Sequence, residues 1–203
     1  MKKIFIGTCN RSKQEEFSAL AKDYPVKLYF PSKDQELSIQ EIGATYEENA
    51  LLKAKEYQRS IGDASMLFVG DDSGLCIPAL NNEPGLYSKR WAGYEMTDQE
   101  ILEYCLNRMK HLQGDDRKAY FETVLAMIDA KGKSTFYRGK MWGRILEKPG
   151  IALPHDGFPF RSTFWVDAVQ KPWYLANMMS KEERKGFLTA RETAFKNLLE
   201  DIS

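Results

Sequence analysis

Two adjacent carboxylates are the residues of this chain whose types most clearly suggest chemistry. Asp71 and Asp72 follow the apolar run of residues 66–70, which is predicted to be a buried strand, and they precede Ser73-Gly74. Neighbouring carboxylates at the end of a buried strand repel each other and lose solvation, so they indicate a bound cation or a general base. Oxygen ligands of this kind favour Mg²⁺, which uses few carboxylates and keeps several waters. The alternative is an Asp-Ser-Gly turn without a chemical role.

A second candidate is the loop of residues 7–13, Gly-Thr-Cys-Asn-Arg-Ser-Lys, between a predicted strand and a predicted helix. The N-terminus of a helix offers free N–H groups and a positive dipole end, both of which suit phosphate. Thr8 and Asn10 can donate hydrogen bonds, and Lys13 adds a positive charge. The loop lacks the glycine spacing and the Lys-Ser/Thr pair of a P-loop. A turn that only caps the helix is the alternative.

The third candidate segment is residues 41–54. Asn49 and Lys53 are four residues apart and therefore share one face of a predicted helix, from which Lys53 could reach a second phosphate. Thr45 and Glu48 are predicted to form a capping box. Glu41 has no capping role and is therefore a candidate metal ligand. A solvated charged face is the alternative for this segment.

The hydrophobic pattern predicts the elements that must hold these residues. Helices are expected at residues 13–22, 44–59, 98–110 and 189–201, and strands at 3–7, 26–30 and 66–70. In the first helix the spacing turns Phe17, Leu20 and Ala21 inward. The segments 118–129 and 134–146 are rich in β-branched and aromatic residues and form a predicted hairpin around Ala-Lys-Gly-Lys. The sequence thus predicts an α/β fold with a mixed sheet: one domain, residues 1–203, with two lobes around a central cleft and helices flanking the sheet.

Composition limits the classes of function. The 203 residues contain 29 Lys plus Arg and 29 Asp plus Glu, so the net charge is zero, which argues against a nucleic-acid partner. No apolar run is long enough to cross a bilayer, which argues against a membrane protein. The three cysteines, Cys9, Cys76 and Cys105, have no zinc-site spacing and predict a reduced, cytoplasmic protein. We interpret Cys9 as a space-filling residue rather than a nucleophile.

Together these segments resemble one family, the inosine triphosphate pyrophosphatases, also called the Ham1 family of non-canonical purine nucleoside triphosphate pyrophosphatases. The similarity covers nearly all of the chain up to about residue 150, in matching order and spacing. The matching residues are Thr8-x-Asn10-x-x-Lys13, Glu41-x-Gly43-x-Thr45-Tyr46-x-Glu48-Asn49-Ala50 with Lys53-Ala54, Asp71-Asp72-Ser73-Gly74-Leu75, Pro84-Gly85-Leu86-Tyr87-Ser88-Lys89-Arg90-Trp91-Ala92-Gly93, Tyr120-Phe121 and Gly143-x-Ile145.

The resemblance implies a homodimer with an elongated mixed sheet that hydrolyses a nucleoside triphosphate to the monophosphate and pyrophosphate with Mg²⁺, or Mn²⁺ as a possible substitute. It implies that Glu41 and Asp72 bind the metal, that Asp72 helps to activate water, and that Asp71 supports it. The residues that it places at the substrate are Thr8, Asn10, Lys13, Lys53, Ser73 and Gly74, and Lys13 is also assigned to catalysis.

The C-terminal part departs from the family pattern. Members usually carry Gly-Phe-Gly-Tyr-Asp-Pro-x-Phe, whose phenylalanine stacks on the base and whose aspartate contacts the base edge. Here Phe158 remains but Arg161 replaces the acid. Arg161 either contacts the base, points away into solvent or pairs with Asp156. In the later Lys-Asn-x-x-Ser-His-Arg pattern, Lys185 and Arg191 survive as expected substrate contacts. Ala190 replaces the base-contacting histidine, so the resemblance supports the reaction type without supporting a preference for inosine or xanthosine.

Two other functions remain open from the sequence. A protein that binds a nucleotide without turnover would not need a complete metal site, so retention of Glu41, Asp71 and Asp72 weighs against it. Hydrolysis of another nucleotide, such as a modified base or a monophosphate, is the second possibility. Retention of Lys13 and Lys53 weighs against a monophosphate.

Overall fold

The computed structural model describes residues 1–150 and 157–203, and these form a mixed α/β fold with one large sheet. The strand order is β2-β1-β3-β5-β6-β7-β8, with β4 paired to β3. Strand β1 runs parallel to both β2 and β3, whereas the pairs β3–β4, β6–β7 and β7–β8 are antiparallel. The strands are β1 (Lys2–Ile6), β2 (Val26–Tyr29), β3 (Met66–Ile77), β4 (Glu83–Pro84), β5 (Lys118–Ile128), β6 (Ser134–Ile145), β7 (Phe164–Val166) and β8 (Lys171–Pro172).

The helices include all four that the sequence predicts, with ends shifted by at most two residues. They are α1 (Arg11–Ala21), α2 (Tyr46–Ile61), α3 (Asp98–Arg108), α4 (Trp173–Ala176), α5 (Lys181–Arg184) and α6 (Ala190–Ile202). Helix α1 starts earlier than predicted because the Asn10 side chain caps it, accepting a hydrogen bond from the Lys13 backbone N–H at 3.1 Å. None of the helices within the described ranges is long and apolar enough to span a membrane.

One strand boundary was predicted wrongly. Strand β3 does not end at Gly70 but continues through Asp71 and Asp72 to Ile77. Aspartate disfavours strands by propensity, but tertiary contacts override that preference. Here the partners of the two acids are cationic side chains of other elements. Because successive side chains of a strand point to opposite faces, the two carboxylates leave β3 in different directions.

The predicted capping box of α2 is also only half right. Thr45 Oγ1 accepts a hydrogen bond from the Glu48 backbone N–H at 3.1 Å, as expected. The Glu48 carboxylate, however, accepts from the Ala44 backbone N–H at 2.6 Å rather than from that of Thr45. The negative side chain still satisfies a backbone donor at the positive end of the helix, so it stabilises the start of α2.

The described chain divides into two compact units. The first comprises residues 1–73, 123–139 and 189–203, and its core contains Phe17, Ala21 and Phe195. The rings of Phe17 and Phe195 meet edge to face at 4.9 Å, which joins α1 to α6, and Leu20 packs against this core as predicted.

The second unit comprises residues 74–122 and 140–188. Its interior is aromatic: Phe121 packs against Phe164 and Trp173 at ring-centroid distances of 4.9 and 4.7 Å. The predicted hairpin is confirmed, because β5 and β6 are neighbours in the sheet. Its turn, which a hydrogen bond between Asp129 and Lys133 closes, belongs to the first unit.

Gly70 sets the distance between β3 and α2 in the first unit. A Cβ atom at this position would lie 1.9 Å from the Ala50 carbonyl oxygen and 2.8 Å from the Ala54 nitrogen. Only glycine allows the backbones to approach so closely. Helix α2 therefore lies directly over the strand, with Asn49 and Lys53 beside the segment that carries Asp71 and Asp72.

Candidate active site

A buried charge cluster surrounds Asp71 in the first unit. Its Oδ2 atom receives Arg191 Nε at 2.9 Å and Lys13 Nζ at 3.1 Å. Arg191 also contacts Glu16 Oε2 at 2.6 Å through Nη1 and Ser73 Oγ at 3.1 Å through Nη2. Three elements, α1, β3 and α6, thus meet at one carboxylate.

Asp72 belongs to a second group of side chains. Asn49 donates its side-chain amide to Asp72 Oδ2 at 3.1 Å, and Lys53 Nζ lies 3.4 Å from Oδ1. The same Lys53 ammonium lies 2.7 Å from Glu41 Oε1 and donates to the Asp71 carbonyl oxygen at 3.0 Å. Lys53 therefore bridges Glu41 and Asp72, two carboxylates that the sequence predicts to share a site.

The two neighbouring aspartates have pKa values shifted in opposite directions. Burial would raise the pKa of Asp71, but the adjacent Arg191 and Lys13 outweigh it and hold that pKa well below its usual range. Burial raises the pKa of Asp72, and Glu41 adds to this, while Lys53 opposes the shift without reversing it. The surroundings of Asp71 therefore favour its ionised form, whereas those of Asp72 favour its protonated form and make it the better proton acceptor of the pair.

The two lysines also differ. Burial lowers the pKa of Lys13, an effect that Asp71 opposes but does not overcome. Burial acts in the same direction on Lys53, but Asp72 and Glu41 raise its pKa above the ordinary value. Both ammonium groups remain largely screened from water, with side-chain exposures of 20% and 14%. A polyanion bound next to these ammonium groups would be attracted strongly, because little water is present to screen the charges.

The loop after β1 places Thr8 and Asn10 next to this cluster along the chain. Thr8 Oγ1 accepts a hydrogen bond from the Asn10 backbone N–H at 3.3 Å, and the Thr8 carbonyl oxygen accepts from Gln14 at 2.8 Å. The Asn10 side-chain oxygen caps α1, which leaves its amide group as the donor for a ligand. The predicted capping role and the predicted anion-binding role are thus compatible.

The residues at this site fit a divalent metal ion. Asp71 Oδ1 is buried and has no hydrogen-bond partner among the residues that the structure describes. Over residues 1–150 and 157–203, no group of three or more His, Cys, Asp or Glu side chains is arranged to hold a metal. Mg²⁺ is commonly held by one or two carboxylates together with waters and substrate phosphates. Glu41 and Asp72, which both contact the Lys53 ammonium, are carboxylates of this ligand type.

The residues predicted to contact a base lie in the second unit. The guanidinium of Arg161 lies over the rings of Phe158 and Trp173, with its central carbon 4.6 and 5.4 Å from the two centroids. Trp173 meets Phe158 edge to face at 5.9 Å. Arg161 is therefore stacked on the aromatic ring that the family pattern assigns to the base. Its alternative partner, Asp156, lies outside the described residues.

The remaining predicted residues have simpler surroundings. Gly74 lies on β3 directly after Ser73 and is buried. Lys185 is exposed and ends α5 with a left-handed φ of 48°. Arg191, which is predicted to contact substrate, donates hydrogen bonds to Asp71, Glu16 and Ser73 of the first unit.

Glu16 is the residue of this cluster that sequence reasoning missed. It lies one turn after Lys13 on α1 and next to the buried Phe17, and its side chain is 17% exposed. The sequence contained one signal for this residue: Glu16 lies three positions after the candidate Lys13 and therefore on the same face of the helix. Its partner, Arg191, lies 175 positions further along the chain, which local spacing cannot reveal.

The described chain is a mixed α/β protein with a largely buried cluster of carboxylates, lysines and an arginine. The sequence model of the Ham1 family matches residues 4–201, and the chain belongs to this family. It is 35% identical over 184 residues to the dITP/XTP pyrophosphatase of Thermoanaerobacter pseudethanolicus, covering 90% of this chain and 88% of the relative. With the dITP/XTP pyrophosphatase of Clostridium perfringens it shares 33% identity over 206 residues, covering 100% and 98%.

Solved structures agree with this assignment. A HAM1 protein from Coxiella burnetii superposes with a TM-score of 0.79 at 28% identity, covering 100% of this chain and 98% of that one. The Ham1 protein of Staphylococcus aureus superposes with a TM-score of 0.76 at 29% identity, covering 99% and 98%. The mixed sheet with flanking helices is thus the fold of the family.

Proposed function

We propose that this chain hydrolyses nucleoside 5'-triphosphates to the monophosphate and pyrophosphate, with Mg²⁺ as cofactor and Mn²⁺ as a possible substitute. The observation that carries the proposal is the bridging of Glu41 and Asp72 by Lys53, next to the Lys13–Asp71 pair. Such a site joins oxygen ligands for a hard cation to fixed positive charge for phosphates. The names of the relatives, dITP/XTP pyrophosphatases, support the same reaction class.

The phosphate chain is assigned to the first unit. Lys13 and Lys53 supply positive charge, and the Asn10 amide and Thr8 hydroxyl supply neutral hydrogen bonds. As the anhydride between the α- and β-phosphates breaks, negative charge grows on the departing pyrophosphate, and the lysine ammonium groups stabilise it. Ser73 and Gly74, which follow Asp72 on β3, are proposed to lie beside the bound nucleotide.

Glu41 and Asp72 would hold the metal, directly or through water. When bound, the ion neutralises phosphate oxygens and makes a water molecule more acidic. Asp72 takes the proton that the attacking water loses, since its raised pKa makes it the better acceptor of the two aspartates. Asn49 holds the other oxygen of that carboxylate, and this fixes its orientation.

The base preference is proposed to differ from that for inosine and xanthosine. Arg161 stands where the family has an acid, so it offers donors where the family offers an acceptor. A fork of donors suits acceptor atoms such as O6 and N7 of a guanine-like purine, or the carbonyls of an oxidised base. The stacking of Arg161 on Phe158 places this charge at the ring assigned to the base.

The resemblance also leads us to propose a homodimer that acts in the cytoplasm. The dimer is testable by light scattering on the full chain, where a monomeric mass would contradict it.

The deciding experiment is a panel of natural and modified nucleoside triphosphates with Mg²⁺, in which pyrophosphate and orthophosphate are measured separately. We expect pyrophosphate and monophosphate to appear together and turnover to stop when EDTA removes the metal. Full turnover in EDTA, or initial release of orthophosphate, would contradict the proposed reaction. Tight binding of a nucleotide without any product would instead indicate a sensor.

A further inference from the structure

We propose that Arg117 is a positioning residue for base recognition. It fixes the end of β6 to the end of α3, and it thereby sets the place of residues 157–163, the segment that carries Phe158 and Arg161. This inference rests on the function proposed above, in which that segment meets the base. It assigns a role to a residue that the sequence analysis did not single out.

The first argument is the set of groups that the Arg117 guanidinium contacts. Arg117 is 7% exposed, and its three side-chain nitrogens donate to four main-chain carbonyl oxygens. Nε donates to Ile145 at 2.8 Å and Nη2 to Leu146 at 2.9 Å. Nη1 donates to Met109 at 2.8 Å and to Leu112 at 3.2 Å. Because the donors form a rigid planar fork, these contacts hold two backbone segments in one fixed arrangement.

The second argument is where these carbonyl groups lie. Met109 caps the end of α3, where carbonyl groups lack partners within the helix and the helix dipole is negative. A buried cation is therefore well placed there. Ile145 is the last residue of β6, and Leu146 follows it directly. Arg117 thus joins the end of a helix to the end of a strand, neither of which it belongs to.

The third argument is how the end of β6 is connected to the base segment. The Leu146 backbone N–H donates to the Thr163 carbonyl oxygen at 2.7 Å, and that of Gly150 donates to Ser162 at 2.8 Å. These contacts fix the far end of the segment, next to the turn of residues 158–161. A shift of the Leu146 backbone would therefore move the side chains that are proposed to recognise the base.

Helix α3 also holds the near end of the same segment. Asp98, the first residue of α3, accepts a hydrogen bond from the Gly157 backbone N–H at 3.2 Å through Oδ2. Asp98, Arg117 and all of their partners named here belong to the second unit, whereas Lys13 and Lys53 belong to the first. Loss of these contacts should therefore affect recognition of the base and leave binding of the phosphates intact.

A purely structural role and a positioning role predict different results. If Arg117 only stabilised the fold, its replacement would lower the melting temperature, and the folded enzyme would keep its preference among bases. If Arg117 positions the base segment, its replacement reduces the difference in kcat/KM between good and poor bases, because that difference measures differential binding of the transition state. Inorganic tripolyphosphate carries phosphates without a base, so its Kd reports on the phosphate contacts alone.

The test compares Arg117→Lys and Asp98→Ala with two matched controls, Arg59→Lys on an exposed ion pair and Glu95→Ala on an exposed residue near α3. The readouts are kcat/KM for the best and the poorest triphosphate of the panel, the Kd of tripolyphosphate with Mg²⁺, and the melting temperature. We expect Arg117→Lys to lower the ratio of the two kcat/KM values by about 10-fold, because an ammonium group cannot reproduce the planar fork. The Kd of tripolyphosphate should stay within about 3-fold of the wild-type value.

Asp98→Ala should change the ratio in the same direction but less, and the two controls should change neither quantity. An unchanged ratio in both variants, or a Kd of tripolyphosphate that rises as much as the ratio falls, would overturn the positioning role while leaving the proposed function intact. If the wild type hydrolyses no triphosphate, the proposed function fails and this inference fails with it. Should Arg117→Lys not fold, as judged by thermal unfolding, the comparison of Asp98→Ala with Glu95→Ala decides the question.

Discussion

Asp71 and Asp72 are neighbours on β3, yet each carboxylate meets its own set of side chains. Asp71 is held by Arg191 and Lys13, whereas Asp72 is held by Asn49 and Lys53. Because a strand turns successive side chains to opposite faces, two acids can be adjacent in sequence without sharing an environment. The pKa of Asp71 is lowered and that of Asp72 is raised, so the two neighbours differ in how readily each accepts a proton.

The role proposed for Asp72, that of a proton acceptor, leads to the first prediction. Asp72→Asn is expected to lower kcat by about 10²- to 10⁴-fold, because the amide cannot take a proton from water. The free energy of unfolding should not fall, since the substitution removes a carboxylate whose ionised form is disfavoured by burial. Steady-state kinetics and urea unfolding measure the two effects.

Asp116→Asn is the control for this substitution, because Asp116 is exposed and lies in a short 3-10 turn, residues 114–117. It should leave both quantities unchanged. If Asp72→Asn lowered the free energy of unfolding as well as kcat, Asp72 would have a structural rather than a catalytic role.

The bridging position of Lys53 leads to the second prediction. Lys53→Ala and Lys13→Ala should each remove roughly 1.5–3 kcal/mol of transition-state stabilisation, the range for hydrogen bonds to charged groups. The measurement is kcat/KM with saturating Mg²⁺. Lys55→Ala, two residues away on the exposed side of α2, should change kcat/KM little. If kcat/KM fell equally in all three variants, the cause would be a general effect, such as the loss of positive charge or of helix stability, and not the loss of a contact in the site.

The low pKa of Asp71 predicts how stability depends on pH. A carboxyl group with a lowered pKa in the folded state stabilises that state above its unfolded pKa, ordinarily 3.8, and this contribution is lost as the pH falls towards the folded value. The wild type should therefore lose stability on acidification below about pH 5 more steeply than Asp71→Asn. Urea unfolding at a series of pH values gives the two slopes. Parallel slopes would show that Asp71 is not ionised preferentially in the folded protein.

Arg161 leads to the prediction about base preference. We expect that inosine triphosphate is not the best substrate of the panel. Arg161→Asp, which replaces a donor fork by an acceptor and uncovers Phe158, should change the ranking of bases more than the rate on the poorest one. Lys110→Asp is the matched charge reversal on an exposed residue of the second unit. A wide preference for inosine triphosphate that Arg161→Asp leaves unaltered would require the claim to be dropped.

Local sequence was sufficient for much of the fold. The inward positions Phe17 and Ala21, the hairpin after Lys118 and the helix capped by Thr189 follow from periodicity and turn chemistry, and the structure confirms them. The length of β3 was wrong because propensity treats Asp71 and Asp72 as strand breakers. What keeps them in the strand is charge from α1, α2 and α6, which no local window contains.

The same limit applied to the site. Asn49 and Lys53 could be paired from their four-residue spacing, and the structure places both at Asp72. The contact of Glu16 with Arg191 could not be predicted from the sequence. It depends on how α1 and α6 pack and not on any spacing between residues in the sequence.

Gly70 has a consequence for experiments that survey every substitution of this chain. It has no side chain and takes no part in the chemistry, yet even alanine would collide with the Ala50 carbonyl oxygen at 1.9 Å. Moving α2 away to make room would displace Asn49 and Lys53 together, so activity would vanish without any functional group having been altered. In a saturation scan, Gly70 would therefore score like an active-site residue. The loss of activity on substitution would reflect the short distance between the backbones of β3 and α2 rather than a chemical role of Gly70.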